Sequence, residues 1–110
     1  MNNIITIEDF NLELKNEGVA FYFTTSDCNV CKVLFPKLKM LLKENFPRIK
    51  LFKIDCTKAV ELSAQQNIFS VPTLVVFFDG KEFIRVSRNI GLSELYDRIE
   101  RPYKMIFGEL

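Results

Sequence analysis

Apolar residues along the chain fall into blocks whose spacing changes from helical to strand-like and back. Residues 3–6 are a short apolar start that suits an edge strand. Thr6, followed by Glu8 and Asp9, offers a capping hydroxyl and acids in a first helical turn. Ile7, Phe10 and Leu14 then recur at helical spacing until residues 16–18 stop the helix. Residues 19–25 form a nearly continuous apolar, β-favouring run, the pattern of a strand covered on both faces. After a polar break at Ser26 and Asp27 comes a long helical pattern. Val30, Val33, Leu34, Leu38, Leu41, Leu42 and Phe46 are read on one side of it, with Lys32, Lys37, Lys39, Lys43 and Glu44 mostly opposite. Pro36 sits inside this helix, where it removes one amide donor and should kink it; Pro47 marks the end.

Residues 49–55 alternate apolar and polar positions and read as a further strand, and residues 58–66 have the composition of a short helix. Val71-Pro72-Thr73 leads into a strand over residues 74–78. Asp79-Gly80 is a strong two-residue hairpin signal, so residues 81–87 return antiparallel. Residues 92–100 are the last clear helix, with Leu92, Leu95, Tyr96 and Ile99 on one face. Pro102 is read as interrupting it, leaving residues 103–110 as another turn or a frayed tail. The order is (β)αβαβαββα. Helices between buried strands imply parallel crossovers, while the hairpin adds an antiparallel pair. The class is α/β, a mixed β-sheet with helices on both faces, in one domain spanning residues 1–110.

Composition adds limits. An apolar fraction of 48%, including 11 Phe, is ample for a core without metals or a disulfide framework. Fifteen basic against 14 acidic residues leave a net charge of +1, which argues against nucleic acid or an anionic membrane as partner. No apolar run approaches the roughly 18 residues of a membrane span. The first residues lack the basic and apolar regions of a signal peptide, so the default expectation is a cytoplasmic monomer whose thiols are kept reduced. A processed exported chain that has lost its leader would read the same way.

The one constellation with obvious chemistry is Cys28-Asn29-Val30-Cys31, placed where a buried strand ends and a helix begins. That position sets Cys28 at a helix N-terminus, where unpaired amides and the macrodipole favour the thiolate, the reactive form of cysteine. Cys31, one turn on, is close enough to close a disulfide onto Cys28 and release a mixed-disulfide partner. A zinc or iron–sulfur site is short of ligands, with three Cys and no His in the chain. A structural disulfide closing so short a loop offers little stabilisation. Two inert, buried cysteines remain the alternative. Cys56 has no partner in sequence: it is a packing residue, or a regulatory thiol that is oxidised or links two chains.

From about Ile4 to Ile99 the chain resembles the thioredoxin family. The resemblance is carried by Cys28-x-x-Cys31 with Lys32 next to it, by Pro36 in the helix, by Val71-Pro72-Thr73 and by Asp79-Gly80-Lys81. It implies the thioredoxin fold and a cis peptide bond before Pro72, beside the cysteine pair. It also implies that Val71 and Pro72, with Asn29 and Val30, meet an extended substrate segment. Pro72 as a simple strand-initiating proline is the plainer alternative.

The implied activity is thiol–disulfide exchange on protein disulfides, with Cys28 attacking and Cys31 resolving. No bound cofactor or metal is needed, since the electrons sit on sulfur, and an external dithiol or flavoprotein reductase would restore the dithiol.

Departures from the family pattern are as specific. Asn29-Val30 stands where Gly-Pro is usual, and Asp27 replaces the usual aromatic residue before the first cysteine, in a chain without Trp. Asp27 should oppose the thiolate of Cys28, or is a solvated carboxylate at or near the helix cap. Lys32 mildly favours that thiolate from a solvated position. The family's buried acid falls at Tyr22, a residue read as core with a satisfied hydroxyl, and its usual lysine partner falls near Leu51. The family's glycine after the last strand falls at Arg88, where a bulky cation would narrow substrate choice. A binding or redox-sensing module with little general reductase activity is the second expectation.

Overall fold

The computed structural model describes residues 3, 4 and 6–108. Helix α1 (Ile7–Glu13) starts as the sequence predicts: Thr6 Oγ1 accepts the Asp9 backbone N–H at 3.1 Å, and Glu8 and Asp9 occupy the first turn. Strand β1 (Gly18–Thr24) is buried at every position. Its side chains alternate, Ala20 and Tyr22 toward one core and Val19, Phe21 and Phe23 toward another, so the run carries almost no polar residue.

Helix α2 (Asn29–Asn45) continues through Pro36. With β2 (Lys50–Asp55), α3 (Val60–Gln65), β3 (Thr73–Phe78), β4 (Lys81–Ser87) and α4 (Leu92–Phe107) it completes a sheet in the order β2-β1-β3-β4. Leu38 and Leu42 of α2 pack with Leu95, Ile99 and Tyr103 of α4 on one face of this sheet. Phe10 of α1 and Leu62 of α3 cover the other, where Phe10 lies 4.3 Å from the Phe21 ring.

The β1–β2 connection through α2 is parallel, as expected. The β2–β3 connection is not, because β3 runs antiparallel to β1. The chain returns to the sheet through the short α3 and the loop ending at Pro72, and β3 sets off from the end where β2 stopped.

Asp79 and Gly80 both take positive φ, 52° and 78°, as a two-residue turn between twisted strands requires. The expected edge strand over residues 3–6 reduces to one parallel bridge between Asn3 and Lys53, with the Ile4 N–H on the Lys53 carbonyl at 3.0 Å. Ile5 lies outside the described residues.

Two readings of helical faces are corrected. Pro102 does not interrupt α4, which runs on to Phe107. Its C-terminal turn is held by packing that outweighs one missing amide. Tyr103 is buried, its ring 5.0 Å from Phe46 and 4.7 Å from Phe107, and its hydroxyl accepts the Arg48 N–H at 3.2 Å. In α2 the buried stripe is Cys31, Leu38 and Leu42, while Val30 and Val33 are 62% and 61% exposed. At 100° per residue Val33 lies far round the helix from Leu38, while Val30 sits in the first turn; both valines stand at the surface beside the cysteines. Because Tyr103 holds α4 onto the core beyond its proline, Tyr103→Ala is expected to lower unfolding free energy by about 3 kcal/mol, read by urea denaturation.

Candidate active site

Register decides which residues meet. Thr24 at the end of β1 pairs with Asp55 at the end of β2, Phe23 pairs with Thr73 at the start of β3, and Thr73 pairs with Ser87 at the end of β4. The segment leading to Cys28, the loop ending at Pro72 and the turn at Arg88 therefore emerge from the same end of the sheet. Two bonds tie the loops there. The Arg88 N–H donates to the Pro72 carbonyl at 2.7 Å, and the Thr73 hydroxyl donates to the Ser70 carbonyl at 2.7 Å. The Val71–Pro72 bond is cis.

Cys28 and Cys31 are joined by a disulfide, their Cα atoms 5.3 Å apart. Cys28 is the N-cap of α2: its backbone is extended, and its sulfur accepts the Cys31 N–H at 3.2 Å. Cys28 is half-buried, whereas Cys31 is 1% exposed and forms part of the core. The two sulfurs thus differ in access as well as position. Asp27 is not the cap; it is exposed one residue ahead, its carboxylate accepting the Thr25 hydroxyl at 2.9 Å. Asn29, Val30 and Lys32 are exposed on the first turn, Val71 is partly covered and Pro72 is buried.

Tyr22 lies beneath this turn, fully buried, and its hydroxyl donates to the Cys31 carbonyl at 3.0 Å. Burial pushes its pKa from 10 up to about 12. It therefore stays protonated at neutral pH and steadies α2 without exchanging protons. Lys53, paired with Tyr22 across β1 and β2, sets its ammonium 4.6 Å from the Phe35 ring centroid. Tyr22, Cys31, Phe35 and Lys53 line a cavity of about 430 Å³. Lys53 carries no signal of this in the sequence, because only the β1–β2 register places it there.

Cys56 is free and half-buried, and desolvation raises its pKa, which makes the thiolate harder to form. It packs against the Phe21 side of the sheet, away from the disulfide's core.

The thioredoxin family model matches residues 2–101. The chain belongs to the thioredoxin family. It is 32% identical to a thioredoxin-like protein, YdfQ, of Bacillus subtilis over 99% of this chain and 95% of that protein. It is also 32% identical to a thioredoxin of Chlamydia trachomatis, over 86% of this chain and 88% of that one. The solved structure of Fasciola hepatica thioredoxin superposes with a TM-score of 0.78 at 29% identity, covering 92% of this chain and 98% of that one. The architecture is the thioredoxin fold, and thioredoxin-family proteins with this cysteine spacing are thiol–disulfide oxidoreductases.

Within the thioredoxin frame the exchanged residues gain meaning. Leu51 lies against the α2 side of the sheet, where a family lysine was expected, and Lys53 lies two residues further along that same side. Arg88 has φ 64°, a left-handed conformation that glycine adopts without cost. This explains in physical terms why a glycine suits the position in the family and marks Arg88 as a locally strained residue.

Two measurements follow from this geometry. Above pH 10 the unfolded chain loses a tyrosine proton that folded Tyr22 keeps, so wild-type stability falls as pH rises from 10 through 12. Tyr22→Phe should remove that part of the alkaline loss while weakening the protein near neutrality by about 1 kcal/mol, read from denaturation curves at each pH. Arg88→Gly should raise unfolding free energy by about 0.5–1 kcal/mol through relief of the left-handed arginine.

Proposed function

We propose that the chain exchanges electrons with protein disulfides through the Cys28–Cys31 couple. The observation that carries this reading is Cys28 as half-exposed N-cap of the 17-residue α2, its sulfur already accepting a helix-terminal amide. Such a position favours the thiolate by up to about 1–2 kcal/mol. In the dithiol form, the Cys28 thiolate attacks one sulfur of a substrate disulfide. A mixed disulfide forms and the other substrate sulfur leaves as thiolate, which takes up a proton. Cys31 then loses its proton and attacks the Cys28 sulfur, closing the intramolecular disulfide and releasing the second substrate thiol. Two electrons pass to the substrate, and an external dithiol or flavoprotein reductase returns them.

Val71 beside Pro72 offers backbone groups at the sheet end next to the disulfide, and Asn29 and Val30 offer an exposed first turn, so these four residues are assigned to substrate contact. Asp27 lies one residue before Cys28 and opposes its negative charge, whereas Lys32 favours it; both tune the rate rather than take part in bond exchange. Tyr22 holds the Cys31 turn. No described helix is long and apolar enough to cross a membrane. A monomer in a reducing cytoplasm, resting as the dithiol, is the setting that suits this chemistry.

The test is the reduction of insulin by dithiothreitol, followed by turbidity. The wild type should shorten the lag, whereas Cys28→Ser should match dithiothreitol alone. Cys31→Ser should retain substrate proteins as mixed disulfides on Cys28, released by reductant. Absence of acceleration together with no retained protein above a double Cys→Ser control would refute the reading and leave a binding module.

A further inference from the structure

Beside the disulfide runs a groove of about 580 Å³, bordered by Val30, Val33, Leu34, Lys37, Arg88 and Ile90. Its floor is apolar, with Val30 and Val33 more than half exposed. Two of its lining residues are cations and none is an acid. Asp27, the acidic neighbour of Cys28, is not among them. Arg88 is held against the Pro72 loop by the bond from its N–H to the Pro72 carbonyl, at the cost of a left-handed backbone. The guanidinium therefore stands on a fixed base beside the segment assigned to substrate contact, and a planar fork of donors matches a carboxylate in particular.

We propose that Arg88, assisted by Lys37, selects disulfide substrates that carry an aspartate or glutamate within a few residues of the attacked cysteine, with an apolar neighbour on Val30 and Val33. This rests on the reading that Cys28 and Cys31 act on protein disulfides, and it names the substrate class: an extended, acidic-apolar segment containing a cystine sulfur. The groove opens onto the turn that carries Cys28, so the same bound segment can present its sulfur and its carboxylate at once. The pairing acts on capture of the segment, before sulfur exchange, and adds no electron or proton to the balance already given. It is exposed, so its size is that of a surface ion pair and it is screened by salt.

The experiment uses short peptides with one cysteine held as a 2-thiopyridyl disulfide, identical except for Glu or Lys at each of the two positions on either side. Pre-reduced protein is mixed with each peptide in a single turnover, and thiopyridone release gives the second-order rate constant. Neutral 2,2′-dithiodipyridine reports the reactivity of the cysteine alone. At about 50 mM salt, Glu should be preferred over Lys by about fivefold at one flank, the ratio falling toward unity in about 1 M salt. Arg88→Glu should invert the preference and Arg88→Lys should keep its sign. A ratio within about twofold of unity at every position, or a preference untouched by salt and by Arg88→Glu, overturns the proposal. Should Arg88→Glu fail to fold, the salt series on the wild type and Arg88→Lys decide it. Inertness toward dithiodipyridine itself would instead strike the redox reading beneath it.

Discussion

Strand β1 is hydrogen-bonded along both edges and packed on both faces, and the reactive end of the molecule is registered on its last residues. With no free edge and no solvated face, β1 cannot slide by one residue without turning Tyr22 and Phe23 into the wrong cores. That constraint fixes where Thr24 ends, hence where α2 begins, hence which amide meets the Cys28 sulfur. It also sets β3 and β4 so that the Pro72 loop and Arg88 arrive at the same place. The cysteine pair needs no large preorganising network of its own, because the sheet supplies the geometry.

Much of this was legible in the chain. The buried run of β1, the cap at Thr6, the Asp79-Gly80 turn and the strand–cysteine–helix junction each rest on local chemistry that survives in the fold. What escaped depended on partners distant in sequence. Pro102 looked like a stop because one missing amide is visible locally, whereas the contacts of Tyr103 with Phe46 and Arg48 are not. Val30 and Val33 read as core because they are apolar, yet both are exposed on α2. The antiparallel entry of β3 is set by its pairing with β1, which no local pattern over residues 58–66 reveals. Lys53 reaches the site only through its pairing with Tyr22.

The replacement of an acid by Tyr22 changes the character of the site as well as its contents. A buried carboxylate would exchange protons with the resolving thiol; a buried phenol that stays protonated at neutral pH acts as a fixed donor to the Cys31 carbonyl. Lys53 meanwhile leans its charge on the face of Phe35 with no buried acid beside it at Tyr22. Tyr22 thus offers the Cys31 sulfur no proton acceptor at neutral pH. Arg88 departs from the family pattern at the level of the backbone, held in a left-handed conformation beside the Pro72 loop.

The margin of the sheet at β2 bears on how the chain meets other chains. Beyond the lone bridge from Asn3, no strand among the described residues covers that margin, so its amides and carbonyls form a template on which another chain could add. Lys50 lies exposed at the start of that strand. An incoming strand would have to strip water from this ammonium group. An exposed lysine at this margin thus disfavours edge-to-edge pairing, whereas Lys53 is turned to the ring of Phe35.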